Sequence, residues 1–206
     1  MLHAISGADR AAYPELFDQM HQLRARAFHE RRGWRVTVEN GRERDAFDDL
    51  DPLYMMVSDG RGRLLASLRL LPTTGPYMMA DVFPEVLPDG GVIRHPLIWE
   101  SSRFCADTEA VRDFGIDGIN QITRELMQGA IRTAYHAGME SIVSVYDIYV
   151  ERILKRAGLL FERLGPVVRY DEGLRTTSGL IEVSERAMAA LELPDGAPRL
   201  RLLHAA

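Results

Sequence analysis

The sequence predicts an α/β fold in which helices cover both faces of a mixed sheet, and three observations carry that prediction. Strand candidates gather in the first half, two of them joined by the hairpin dipeptide Asp59-Gly60 within DGRG. In the second half, stretches of helical period alternate with short apolar runs. Strands followed by helices interleaved with further strands pack as layers about one sheet.

Residues 1 to 5 read as a short first strand. Tyr13, Leu16, Phe17, Met20, Leu23 and Ala27 recur at helical spacing, so Tyr13–Phe28 is the first firm helix, with Pro14 suited to its first turn. The run HERRGW breaks it at Gly33. From Trp34 to Asp51 the chain is polar and acidic, with Glu39, Glu43, Asp45, Asp48, Asp49 and Asp51 and no sustained period. It reads as a loop anchored by Trp34, Val36 and Phe47 rather than a linker. Leu53–Ser58 and Arg63–Leu71 form the hairpin, which Pro72 ends, and a turn-rich connection with a short helical piece near Met78–Phe83 follows. Leu97–Phe104 is a buried strand. Asp117–Ala137 is a helix with Ile119, Ile122, Leu126, Ala130 and Ala134 on one stripe, stopped by Gly138. Ser141–Val145 reads as a strand and Tyr149–Ala157 as a helix ending at Gly158. Short strands are predicted at Leu159–Phe161, Pro166–Tyr170 and Leu180–Val183, and Ser184 caps a last helix through Leu191. With no internal repeat, residues 1–206 read as a single domain.

A chain of 206 residues, 46% of them hydrophobic, can bury one substantial core. Twenty-five basic against 30 acidic residues give a net charge of −5, which argues against general nucleic-acid binding. A lone cysteine, Cys105, rules out an intrachain disulfide and a cysteine-based zinc cluster. The start MLHAISGADR has no basic segment before a long apolar one, and no run approaches the ~18 apolar residues of a membrane span. A cytoplasmic protein is expected.

LIWESSRF, Leu97–Phe104, is the most informative stretch, because Glu100, Ser102 and Arg103 sit in an otherwise apolar run. Burying an unpaired charge costs on the order of several kcal/mol, so such groups are paired or used. On a flat strand Ile98, Glu100, Ser102 and Phe104 share one face while Trp99, Ser101 and Arg103 share the other. A bulge would bring Arg103 round to the side of Glu100. Arg69, flanked by Leu68, Leu70 and Leu71, is a second charge in an apolar strand.

Arg24 and Phe28, Trp34, Asp45 and Asp48 in RDAFDD, Arg69 in LRLLPT, and Glu100, Ser102 and Arg103 in WESSRF, in this order and spacing, resemble the acyl-homoserine-lactone synthases, the autoinducer synthases of bacterial quorum sensing. The connecting phrase LLPTTGPYMMADVFPE is also similar, and the resemblance spans roughly residues 20 to 165. It implies a three-layer α/β/α fold with a mixed, mostly antiparallel sheet, similar to that of the GCN5-related N-acetyltransferases. It implies S-adenosylmethionine as amine donor and substrate, an acyl carrier protein or acyl-CoA as acyl donor, no cofactor, and N-acyl-homoserine lactone and methylthioadenosine as products.

Under that resemblance the amine of S-adenosylmethionine attacks the acyl thioester, and its carboxylate then closes on the γ-carbon, expelling methylthioadenosine. The amine must be unprotonated, and Glu100, a carboxylate in an apolar strand, is the candidate base, directly or through a water. Backbone N–H groups freed by a bulge or splay would hold the oxyanion. Asp45 and Asp48 either stabilise the cationic substrate or hold Arg24, Arg69 and Arg103 in a pocket-shaping network; loop capping is the plain alternative. Phe28 and Trp34 offer aromatic faces to a sulfonium or adenine, and Arg24 joins them as a substrate contact. For Glu100 with Arg69 or Arg103, a structural ion pair competes with catalysis.

Arg152, Lys155 and Arg156, with Arg163 nearby, form a basic face suited to an acidic carrier protein or a CoA phosphate; an ordinary solvated helix face is the alternative. Ser144, with Met127, Val143 and Val145, is the expected border of the acyl pocket, though such apolar residues also serve simply as core. His3, His21, His29, His95, His136 and His204 show no metal-binding spacing, so no metal site is expected. The rival reading is a CoA-dependent N-acyltransferase of the same fold. Its pyrophosphate loop would have to be RDFGIDG, Arg112–Gly118, whose glycine spacing matches poorly.

Overall fold

Alternation along LYMMVS explains the layers. Tyr54 and Met56 bury themselves on one face of the sheet and Met55 and Val57 on the other, so this strand must be covered on both sides. The computed structural model describes residues 1–110, 118–171 and 174–192. Its strands are β1 (Leu2–Ser6), β2 (Val38–Glu39), β3 (Arg42–Glu43), β4 (Leu53–Ser58), β5 (Leu64–Pro72), β6 (Ile98–Ala106), β7 (Ser141–Asp147), β8 (Phe161–Arg163), β9 (Val168–Asp171) and β10 (Leu174–Glu182). Its α-helices are α1 (Pro14–Arg24), α2 (Met78–Val82), α3 (Gly118–His136), α4 (Ile148–Ala157) and α5 (Glu185–Ala190).

Eight strands form one sheet in the order β1-β4-β5-β6-β7-β10-β8, with β9 also on β10, while β2 and β3 make a separate small hairpin. Only β6 and β7 run parallel among its paired strands; the rest are antiparallel. On one face α1 packs Phe17, Met20 and Leu23 against Tyr54 and Met56. On the other, α3, α4 and α5 bring Leu126, Ile131, Leu154 and Ala187 onto Met55, Val57 and Leu65. This is the three-layer, mostly antiparallel arrangement expected from the resemblance.

Local signals hold where their chemistry is simple. Gly138 and Gly158 adopt φ of +77° and +88° behind α3 and α4, and Ser184 Oγ accepts from the Ala187 N–H at the start of α5. Elsewhere the structure differs. The first helix does not stay α-helical to Phe28: it widens into a π-helical turn over Ala25–Glu30, which buries Ala25, Ala27 and Phe28. Strand β10 starts six residues before the predicted Leu180, because Thr176, Thr177 and Ser178 are polar yet buried. Thr177 and Ser178 donate to the Gly165 and Val86 carbonyls, which is how polar letters fill a central strand. Strands β8 and β9 lie one or two residues later than the predicted Leu159–Phe161 and Pro166–Tyr170. Arg112–Gly118 falls, except for its last residue, outside the described residues.

Two irregularities in β6 position the site. Ser67 pairs with Cys105 and Arg69 with Ser102, so Arg103 and Phe104 together face Leu68 in a bulge, with Arg103 at φ +55°. The β6–β7 pairing runs from Ile98↔Ser141 only to Ser101↔Ser144, although both strands continue, so a gap opens between them.

Gly165 lets the segment after α2 lie against the β8–β10 edge: a Cβ there would stand 1.9 Å from the Val86 carbonyl oxygen. Gly165→Ala is therefore expected to cost about 3 kcal/mol through overpacking against backbone. A urea midpoint that falls at unchanged m-value checks this; an unchanged midpoint refutes the close approach.

Candidate active site

The bulge decides what the site contains. Plain alternation would send Arg103 away from Glu100 and Ser102, whereas the extra residue turns its guanidinium to the α1 side of the sheet. There Arg103 reaches Glu43 at 3.0 Å and Asp45 at 2.7 Å. A non-glycine residue at positive φ costs roughly 1–3 kcal/mol, which these contacts offset.

From Arg103 the ion pairs close into a ring of alternating charge. Glu43 pairs with Arg24 at 2.5 Å, and Arg24 with Asp48 at 2.8 Å. Asp48 pairs with Arg69 at 2.9 Å, and Arg69 with Asp45 at 2.5 Å, which returns to Arg103. Three guanidiniums and three carboxylates thus meet with each carboxylate bridging two arginines. Tyr54 donates to Asp48 at 2.6 Å, and Arg69 Nε donates to Ser102 Oγ at 3.2 Å. Asp45 and Asp48 also cap the 3-10 turn Ala46–Asp49: Asp45 accepts from the Phe47 N–H and Asp48 from the Asp45 N–H. The capping and network readings therefore hold at once. Burial would raise both carboxyls, but the guanidiniums of Arg69 and Arg103 for Asp45, and of Arg24 and Arg69 for Asp48, keep them below the ordinary range.

Only one edge of the ring meets open space. Arg24 and Arg69 are essentially inaccessible, at 1% and 0%, while the Asp45 and Arg103 side chains are 18% and 13% exposed and line a cavity of about 390 Å³. Arg24, expected as a substrate contact, instead stands behind the wall and holds Glu43 and Asp48. Phe28 and Trp34 line the cavity as a stacked pair, ring centroids 5.2 Å apart. The Arg103 guanidinium lies 5.5 Å from the Phe28 ring centroid.

The cavity passes through the sheet at the β6–β7 gap. Ser101, Ser102 and Arg103 border it from β6, and Ser144, Val145 and Tyr146 from β7, with Ser144 Oγ donating to the Ser101 carbonyl at 2.8 Å. Beyond the gap Met127 of α3 and Val150 and Leu154 of α4 make an apolar chamber. Val143 does not belong to it. It pairs with Glu100 before the strands part, and packs instead with Tyr77, Met79, Val86 and Leu87.

Glu100 is fully buried one residue before the gap, and does not line the cavity. Its two oxygens accept the Met78 and Met79 N–H groups at 2.9 and 2.6 Å, fixing the start of α2. Burial outweighs these hydrogen bonds and pushes its carboxyl up to about 7. Arg152, Lys155 and Arg156 are exposed on α4, opposite the Val150 and Leu154 that enter the chamber; Lys155 and Arg163 both pair with Glu151. Glu43 was legible only as one of several loop acids. No local signal separated it from its neighbours, because Arg24, one of its two partners, reads as part of a helix's polar side.

The autoinducer synthase family profile matches residues 10–186. An acyl-homoserine-lactone synthase of Agrobacterium fabrum (strain C58 / ATCC 33970) is 39% identical over 153 residues, 74% of this chain and 72% of that protein. The AHL synthase LasI is 33% identical, with a TM-score of 0.80 over 93% of each chain. The CoA-dependent acyl-homoserine lactone synthase BjaI, solved with SAM and isopentyl-CoA, is 29% identical with a TM-score of 0.79 over 93% of this chain and 87% of that one. A likeness to an acyl-CoA N-acyltransferase from Pseudomonas aeruginosa, 17% identical with a TM-score of 0.54 over 87% of this chain and 97% of that one, extends to the fold alone.

Asp48→Asn leaves two buried guanidiniums short of charge and is expected to lower unfolding free energy by about 3–5 kcal/mol. The folded-state pKa of Asp48 is depressed, so its contribution is present above the ordinary carboxylate value of about 4 and lost as pH falls below it. Urea titrations at neutral and acid pH check both points: the variant's deficit should shrink on acidification. A deficit that does not change with pH would remove Asp48 from the network's charge balance.

Proposed function

From the premise that the chain belongs to the autoinducer synthase family, and is an acyltransferase making acyl-homoserine lactone, we propose the following division of its cavity. S-adenosylmethionine occupies the side bounded by Phe28, Trp34, Asp45 and Arg103, and the acyl tail of the second substrate lies in the apolar chamber beyond the gap. One observation carries this reading: a single cavity crosses the sheet with charged groups and the Phe28–Trp34 pair on one side and an apolar lining of Met127, Tyr146, Val150 and Leu154 on the other. A sulfonium-bearing amino acid suits the first side, where Asp45 supplies negative charge and the rings supply cation–π contact worth roughly 0.5–2 kcal/mol. A CoA-dependent relative solved with SAM and isopentyl-CoA supports the same pair of substrates here.

In the first step the amine attacks the thioester carbonyl and loses a proton, and the tetrahedral intermediate expels the thiolate. The facing edges of β6 and β7 beyond Ser101 and Ser144 are not paired with each other, so their N–H groups are the donors for the oxyanion. Glu100 takes the amine's proton through a relay, because it stands behind the lining; its carboxyl, raised to about 7, suits that task at neutral pH. Ser102, fixed by Arg69, and Ser144, fixed on Ser101, are the polar side chains beside the reacting centre. In the second step the methionyl carboxylate attacks the γ-carbon and the C–S bond breaks. The cationic sulfonium leaves as neutral methylthioadenosine, so the step needs no cofactor. Met127 and Val145 border the acyl tail. Arg152, Lys155 and Arg156 dock an acidic carrier protein on the outer side of the helix whose inner side touches that tail.

Purified protein given S-adenosylmethionine and acyl groups on both CoA and carrier protein should release methylthioadenosine and a lactone, read by mass spectrometry. Glu100→Gln should lower kcat about 100-fold and remove the acid limb of the pH profile, with S-adenosylmethionine affinity changed by less than about threefold. A retained limb would assign Glu100 to holding α2 alone. Changing Arg152, Lys155 and Arg156 together to Glu should raise KM for a carrier-linked donor about tenfold and spare S-adenosylmethionine affinity. Equal effects on both substrates would make the patch structural.

A further inference from the structure

We propose that Tyr146 is the specificity-determining residue of the acyl chamber: its ring is the end wall, and its seat on Gly179 sets how long an acyl chain fits. This rests on the division of the cavity given above and goes further, from where the acyl tail lies to what stops it.

Tyr146 stands past the last β6–β7 pair, Ser101↔Ser144, so its side chain borders the gap instead of being covered by a neighbouring strand. Its companions on this side of the cavity, Met127, Val150, Leu154 and Ile181, are all aliphatic. Tyr146 and Phe104, which packs against the same cluster, are the rigid, bulky groups beside them. Tyr146 also marks a boundary, since the residues it rests on, Phe161 and Gly179, do not line the cavity.

The ring is held on its far side. Phe161 meets it edge to face, centroids 5.9 Å apart at 87°. Gly179 lies directly opposite Ser144 in the β7–β10 register, and a Cβ there would stand 3.0 Å from Tyr146 Cε1 and 3.1 Å from both its hydroxyl oxygen and the Glu162 carbonyl oxygen. No positive φ calls for glycine at 179, and the absent methyl leaves room for the ring and for the Glu162 carbonyl. Behind the ring, Glu151 is clamped by Lys155 at 2.5 Å and Arg163 at 2.7 Å, which closes the way outward. The ring therefore cannot retreat from a longer chain, and anything added beneath it drives it into the chamber. The hydroxyl faces Glu151 and Arg163, so its polar end is turned to that pair and the ring itself is what meets the chamber.

The test gives the full-length protein S-adenosylmethionine and an equimolar set of straight-chain acyl donors of graded length, on CoA and on carrier protein. Lactones are resolved by mass spectrometry and methylthioadenosine gives total turnover. Tyr146→Ala should raise kcat/KM at least about tenfold for a donor about two carbons longer than the wild-type optimum. Tyr146→Phe should keep the wild-type profile. Gly179→Ala should move the optimum to shorter chains, and the same change in a Tyr146→Ala background should move nothing, because no ring is left to push. Tyr146→Trp, which also shortens the chamber, serves where Gly179→Ala does not fold. An unchanged profile in Tyr146→Ala, or a Gly179→Ala effect that persists without the ring, overturns the proposal while methylthioadenosine release keeps the parent reading. No methylthioadenosine from the wild type with any donor overturns both.

Discussion

Six charged side chains closed into one alternating ring are the constraint on which the rest of this structure depends. Arg24 comes from the end of α1, Glu43 from a two-residue strand, Asp45 and Asp48 from a 3-10 turn, Arg69 from β5 and Arg103 from the bulge of β6. Buried ion pairs are poor sources of net stability, because the loss of hydration nearly cancels the attraction. What such a ring supplies is uniqueness, since any one missing member strands a charge in the interior at a cost of several kcal/mol, by order of magnitude. The segment from Trp34 to Asp51 is otherwise tied mainly to α1 and the turn after it, by Arg42 on Asp18, His21 on the Glu43 carbonyl and Trp34 on Phe28. Of its contributions to the cavity wall, Asp45 and Phe47 are in place because the ring holds Asp45 and Asp48, and Trp34 is in place by its stack on Phe28.

The same few ångströms produce carboxyls of opposite character. Asp45 and Asp48 face guanidiniums and stay ionised below the ordinary range, whereas Glu100 meets backbone N–H groups in a fully buried place and is raised to about 7. Environment, not residue type, separates them: one set of acids carries fixed negative charge, and the other is raised toward neutrality. Arg69 and Arg103 lower Glu100 somewhat but have already committed their close contacts to the aspartates. Had Glu100 joined the ring, it would be a fourth fixed anion instead of a carboxyl raised to about 7.

The parts of this arrangement legible in the letters are those with a local energetic signature. Arg69, Glu100 and Arg103 stood out because charge in an apolar strand demands an explanation, and Ser184, Gly138 and Gly158 because caps and left-handed turns restrict residue type. What escaped the letters depends on register. Val143 was expected beside Ser144 and Val145 in the acyl pocket, yet the strands part only after Ser144, so a difference of one residue sends it to the core. Thr176, Thr177 and Ser178 concealed half of β10, since Thr177 and Ser178 are satisfied by carbonyls 12 and 92 residues away. Glu43 looked like any other acid of a polar loop, and only its contacts with Arg24 and Arg103 distinguish it.

A cavity that crosses a sheet needs two neighbouring strands to separate without unravelling, and β6 and β7 are the pair able to do so. Antiparallel neighbours such as β4 and β5 are tied by a tight turn at one end and by a full ladder along their length. The parallel strands β6 and β7 are joined only through α3, which returns the chain to the start of β7 and leaves both carboxyl ends free to diverge. Each strand keeps its outer partner past the split, β6 on β5 and β7 on β10, so the sheet is held from both sides while the seam is open. The bulge at Arg103 adds to the separation by bending β6 just where its pairing with β7 ends. One backbone irregularity therefore does two things at once: it swings a guanidinium into the ring that organises the charged side of the cavity, and it holds open the passage to the apolar side. Charge and apolar surface, which would otherwise lie on opposite faces of a closed sheet, line one cavity.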